Sequence, residues 1–177
     1  AMASLNYSRD IYDDSAKNEK DYYDSISPDM IETYDRFNKV LHESKFKSEI
    51  IGMFGDTFLN QIEINLKTFD SKIKGMLREE IELKNEYTKL TAGAKIDFEG
   101  KEYNLAGLGP FHSNVNRSVR KRSYEARFSW FKRNEDELDN IYDNLVNLRH
   151  KIAVTLGYNN FIELGYLRMG RSDYGPK

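Results

Sequence analysis

Histidines, carboxylates and arginines are the side chains whose spacing in this chain could support chemistry. His42-Glu43-Ser44-Lys45-Phe46 opens like a zinc-peptidase helix, in which two imidazoles at i and i+4 hold the metal and the glutamate between them sits over its bound water. Phe46 stands where the second imidazole is needed, so His42 reads as a helix-end histidine. His112 and His150 are isolated in sequence, and structural or surface roles suit them best. Gly107-Leu108-Gly109 is followed by Pro110, and His112 occupies the place of the third glycine, so no phosphate loop forms there. No Gly-x-Ser-x-Gly nucleophile elbow occurs. Asn6-Tyr7-Ser8 and Asn116-Arg117-Ser118 match the glycosylation sequon by chance, since no secretory signal accompanies them.

Two clusters remain. Gly165-Tyr166-Leu167-Arg168-Met169-Gly170-Arg171-Ser172-Asp173-Tyr174 offers two arginines three residues apart, an aspartate and two tyrosines. Tyr166, Arg168, Arg171, Asp173 and Tyr174 could clamp a carboxylate or a peptide backbone. Equally, the arginines could tie off a helix end through Asp173, and spacing alone favours that. From Arg117 to Arg133 seven Lys or Arg face only Glu125, with Phe128, Trp130 and Phe131 interleaved. Such a helix could grip nucleic acid through phosphates and stacked bases. The aromatics fall at core spacing, however, so a basic solvated face over buried rings is the better reading.

Composition bounds these options. The chain has 177 residues, 39% of them apolar, with 10 Phe and 12 Tyr, enough for a substantial core. Its 27 basic and 29 acidic residues nearly cancel, which argues against a polyanion-binding protein. Zero cysteines exclude disulfides, thiol nucleophiles and Cys-ligated metals. No apolar run is long enough to span a membrane. Ala1-Met2-Ala3-Ser4 reads as a leader scar over 1–3 before the protein proper, and the default location is cytoplasmic.

The elements that must position these residues are mostly helical. Val is scarce, and prolines stand only at 28, 110 and 176. The spacing predicts a helix from Leu5 to Ile26, with Leu5, Tyr12, Ala16, Glu19 and Tyr23 on one face. Ser27-Pro28-Asp29 then looks like a fresh helix start, followed by Met30, Tyr34, Phe37 and Leu41 as a buried stripe. Phe46, Ile50 and Met53/Phe54 repeat the spacing up to a break at Gly55. Asp56 and Asp70 can cap the next two helices, with Phe58, Ile62, Leu66 and Phe69, then Ile73, Leu77 and Ile81, inward. At Ile96, Phe98, Tyr103 and Leu105 the period changes from 3.6 to 2, which predicts a hairpin turning at Glu99-Gly100-Lys101. Residues 105–116 read as a structured loop. Asn116 can cap a helix to Arg133, and Asn134 with Glu137 resembles a capping box for the helix that stops at Gly157. Asn159/Asn160 open a last helix through Leu167. The expected fold is all-α with one small β-hairpin near 95–105, over residues 1–177 as a single helical unit.

Several stretches together resemble the oligoendopeptidase F family of zinc metallopeptidases. They are Tyr87-Thr88-Lys89-Leu90, Ala94–Phe98, Leu105–Pro110, Asn134–Asp143, Leu156–Tyr166 and Arg168-Met169-Gly170-Arg171-Ser172-Asp173-Tyr174. The acidic opening and Ile26-Ser27-Pro28 are similar as well, so the resemblance covers nearly the whole chain. It implies a mostly helical, two-lobed enzyme around a deep channel that admits oligopeptides, with zinc held by the two His of His-Glu-x-x-His and a downstream Glu. None of those ligands is in this sequence. The resemblance therefore implies an amino-side, non-catalytic lobe that is inactive and zinc-free by itself, whose partners are the catalytic half of the same polypeptide and the oligopeptide substrate, with no nucleic acid and no membrane. A free-standing helical module that binds a protein or peptide is the alternative.

Overall fold

The computed structural model describes residues 2–171, 174 and 175. Among them run α1 (Met2–Arg9), α2 (Asp14–His42), α3 (Lys47–Phe54), α4 (Asp56–Thr68), α5 (Lys74–Ala92), β1 (Ile96–Phe98), β2 (Lys101–Tyr103), α6 (Gly109–His112), α7 (Arg117–Arg133), α8 (Glu135–Thr155) and α9 (Phe161–Arg168), with a 3-10 turn at Ser71–Ile73 before α5. The fold is all-α with one two-stranded antiparallel hairpin. Two compact units divide the chain: Ala1–Tyr23 with Glu82–Leu145, and Asp24–Ile81 with Val146–Lys177.

The first unit is organised by the hairpin. Glu99 (φ 51) and Gly100 (φ 78) form its two-residue turn, and positive φ at both positions matches the twist of the strands. The register pairs Ile96 with Tyr103 and Phe98 with Lys101, so Ile96 and Phe98 point inward while Asp97 faces water. They join Ala94, Leu108 and Trp130 in a closed cluster, flanked by Leu90, Phe111, Val119, Ala126 and Phe131. Phe98 and Phe111 meet edge to face with centroids 4.9 Å apart. The loop read at 105–116 contains α6, and the Asn104 carboxamide accepts the Gly107 N–H at 2.7 Å.

Capping in this unit is local and specific. Asn116 caps α7 by accepting the Ser118 N–H at 2.9 Å. Asn134 does not form the expected capping box; its side chain donates to the Trp130 carbonyl at 2.8 Å and closes α7 instead of opening α8. The single helix expected from Leu5 is also broken. The Asp10 carboxylate accepts the Tyr12 N–H at 2.9 Å, and Asp13 accepts those of Ser15 and Ala16 at 2.8 and 3.1 Å. Those side-chain bonds compete with helical ones and restart the chain as α2. The buried face there is Ala3, Tyr7, Ala16 and Lys20, whereas Leu5, Tyr12 and Tyr23 are exposed. The Lys20 ammonium donates to the Asn85 carboxamide, which answers the cost of burying it. At Gly93 a Cβ would stand 2.9 Å from the Lys89 carbonyl and 3.1 Å from Ile11, so the close approach requires glycine.

The second unit buries Leu59, Ile62, Ile64, Phe69, Ile73, Leu148, Ile152, Ala153 and Leu164. Asp70 caps the 3-10 turn through the Lys72 N–H, and Asn160 caps α9 through the Ile162 N–H, both at 2.8 Å. Asp56 is the first residue of α4 and not its cap, which is Gly55 (φ 79). Phe58, Met53 and Phe54 are exposed instead of inward. Gly157 (φ 92) ends α8: its N–H reaches the Val154 carbonyl and that of Tyr158 reaches Ala153, which satisfies two terminal carbonyls.

Helix α2 departs most from expectation. It runs through Pro28, which lies inside the helix, fully buried, and starts no new one. The missing proline N–H removes one bond, to the Asp24 carbonyl. Ion pairs follow directly after the proline: Lys74 pairs with Asp29 and with Glu32 (2.8 Å), and Arg78 reaches Asp29 at 3.3 Å. The predicted buried stripe is at the surface. Met30 is 46% exposed, Tyr34 61% and Phe37 57%, while Asp35 and Asn38 turn inward. Helical period identifies a face; it does not say which face is covered.

Candidate functional site

Helix α9 and the residues after it carry the predicted site. Phe161 and Gly165 stack one turn apart, and a Cβ on Gly165 would stand 3.3 Å from the Phe161 ring. The helix ends at Gly170 (φ 69), whose N–H bonds the Leu167 carbonyl at 2.8 Å, while the Arg171 N–H bonds the Tyr166 carbonyl at 3.2 Å. This closure folds Arg171 back over the last turn. Its guanidinium lies 4.9 Å from the Tyr166 ring centroid and 5.1 Å from that of Tyr174. The two rings meet edge to face at 6.1 Å.

Arg168, one turn earlier, has a different environment. Its Nη1 donates to Glu80 Oε2 at 3.0 Å, and Arg149 Nε donates to Glu80 Oε1 at 2.9 Å. The Glu80 side chain is 4% exposed, so α5 supplies a buried carboxylate to which α8 and α9 each bring a guanidinium. Phe161 lies against both arginines, 5.7 Å from each. With both carboxylate oxygens engaged, Glu80 is not free to act as a base toward a substrate. Arg168 is a structural partner, therefore, whereas Arg171 keeps a guanidinium edge between two rings, of which Tyr174 is 57% exposed. Asp173, the proposed partner of the arginines, lies outside the described residues.

Sequence reasoning passed over Glu80 and Arg149. One signal was available: Glu80 falls at i+7 from Ile73 on the apolar stripe of α5, where an acid needs a cationic partner.

The remaining candidates are brought to no common centre. His42 ends α2 with Nδ1 3.9 Å from Glu63, beyond hydrogen-bond reach. His112 stacks on Tyr124 at 4.2 Å, and His150 is exposed. On the basic helix α7, Trp130 and Phe131 join the core, but Tyr124 and Phe128 are exposed and stack on each other. The inward face of α7 is the smaller-residue row Val119, Ser123, Ala126 and Trp130, so the expectation of buried aromatics holds only for its last turn. A cleft of about 390 Å³ lined by Phe131, Lys132, Glu135, Leu138 and Asp139 lies at the α7–α8 junction and contains none of the predicted site residues. Among the described residues no three His, Asp or Glu side chains lie together in a way that could hold a metal ion, so these residues do not fit zinc and no step through it is assigned to them. No helix of the described residues is long and apolar enough to cross a membrane.

This fold is shared with helical regions of solved peptidases. Residues 1–69 match the family described as Peptidase M3 N-terminal domain. The chain is a homologue of the amino-side region of oligoendopeptidase F: it is 41% identical to one solved protein assigned that name, at a TM-score of 0.92, over 98% of this chain and 31% of that one. A second, from Bacillus anthracis str. Ames, is 39% identical at 0.91, over 99% and 32%. PZ peptidase A, solved with an inhibitor, is 41% identical at 0.91, over 98% and 31%. The chain thus spans about a third of the length of these structures. No curated protein matches it.

Proposed function

We propose that this chain is the helical, channel-forming lobe of an oligoendopeptidase F-like zinc peptidase that hydrolyses peptide bonds in oligopeptides in the cytoplasm. The observation that carries this reading is the match over 98% of the chain to only 31% of the relative. In the longer enzyme, zinc and its ligands belong to the remaining polypeptide, where the metal would activate water with a general-base glutamate. This lobe would wall the channel and exclude folded proteins by size. Within the site segment, Arg171 between Tyr166 and Tyr174 is the group placed to meet a peptide carboxylate, and Arg168 positions α9 through Glu80.

The test is to read the gene past the codon for Lys177 and assay both lengths. The expected result is a continuing frame with His-Glu-x-x-His, chelator-sensitive cleavage of a quenched oligopeptide by the long form, and no cleavage by residues 1–177. A stop codon just after Lys177, or one tightly bound zinc with hydrolysis in the short chain, would overturn it; the first would favour a free-standing binding module.

A further inference from the structure

Helix α2 is inverted relative to an ordinary surface helix. Its inward face in the second unit carries Pro28, Asp35 and Asn38, while Met30, Tyr34, Phe37 and Leu41 form a row at i, i+4, i+7 and i+11 roughly a third of a turn away. Ile31 and Val40 border that row, and both are exposed. Nothing polar interrupts it along three turns. Met30, Tyr34 and Phe37 stand in water and Leu41 is half-buried, and a run of large exposed apolar side chains of this kind marks an interaction surface.

Two observations say what belongs there. One flank of α2 is already tied through Lys74 to Asp29 and Glu32, so the helix cannot roll its apolar row inward without breaking those pairs. About two thirds of each solved relative's own length lies outside the part that this chain matches. We infer that the Met30–Tyr34–Phe37–Leu41 face of α2 is the surface on which the remaining polypeptide of the longer enzyme packs, through an apolar face of its own. This rests on the reading proposed above and assigns the face.

The absence of cysteine from the chain provides a clean probe. Single substitutions Phe37→Cys on the row and Arg36→Cys on the charged flank are placed in residues 1–177 and in the long form, and the thiol labelling rate at each position is read by peptide mass. Both positions should label quickly in the short chain. In the long form Phe37→Cys should slow about tenfold or more, while Arg36→Cys changes by less than about twofold, since labelling follows local opening. Equal rates at Phe37→Cys in both lengths, or equal slowing at both positions, would overturn the assignment. Slowing that appears in the short chain and grows with its concentration would assign the row to a second copy and overturn it too. Circular dichroism of each variant confirms folding. If no long form exists, or it cleaves nothing, the reading of function fails separately from the labelling result.

Discussion

The hairpin–α7 region and the α2–α3 region have similar apolar residues at similar helical spacing, yet they solve opposite problems. Around the hairpin, Ile96, Phe98, Leu108 and Trp130 close a core from local elements, and the polar groups at its edge are turn and cap residues. Along α2 and α3 most of the large apolar residues, among them Met30, Tyr34, Phe37, Met53 and Phe54, face water, α3 fully buries none of its residues, and ion pairs tie α2 through Asp29 and Glu32. One region closes on itself; the other leaves large apolar side chains exposed. The stability of the chain should therefore be concentrated where apolar period and burial coincide.

That contrast can be broken by measurement. Trp130→Ala should cost about 3–5 kcal/mol in urea unfolding, because a large ring leaves a void in a closed cluster. Glu80→Ala should cost as much, about 3–5 kcal/mol, since it abandons Arg149 and Arg168 beside an apolar ring. A small loss there would mean that the second unit does not depend on its buried ions. Asn116→Ala should cost about 1 kcal/mol by removing the α7 cap. Arg171→Ala should cost only about 0.5–1 kcal/mol, as a half-buried guanidinium between rings of which one is exposed, and leave the α9 end intact. Phe37→Ser in residues 1–177 should stay within about 0.5 kcal/mol. A loss near that of Trp130→Ala would show that the α2 row is packed after all.

Acid sharpens the same comparison. The Lys74 hydrogen bonds hold the Asp29 and Glu32 carboxyls below their ordinary values, and those carboxylates in turn raise the Lys74 ammonium, Asp29 first. Lowered carboxyls contribute stability above their unfolded values and lose it as pH falls through the folded ones, so this contribution is present at pH 7 and drains below about pH 4. Lys74→Met should flatten the acid limb of the urea midpoint between about pH 4 and pH 2. An unchanged limb would show that these pairs do not hold α2.

What was legible in the sequence was local. Asn116, Asp70, Asn160 and Gly157 mark helix ends through bonds spanning two to five residues, and the Glu99-Gly100 turn announces the hairpin. The resemblance to oligoendopeptidase F was legible too, because it rests on motifs spread along the chain. Pro28 misled, since its preference for a first helical turn is a local rule that burial overrode. The α2 row misled for a different reason: period names a face but does not say whether that face is covered. Of the site segment, Arg171 with Tyr166 and Tyr174 is a neighbour contact, whereas the partner of Arg168 lies 88 residues away, beyond the reach of spacing.

The Glu80 cluster also has a history in time. Its carboxylate is synthesised 69 residues before Arg149 and 88 before Arg168. At about 5–20 residues per second on a ribosome, Glu80 is out roughly 4–18 s before Arg168 exists. Until then the carboxylate lacks the guanidinium that α9 brings to it. Completion of the Glu80 cluster thus waits on α9, the last helix of the described residues to be made.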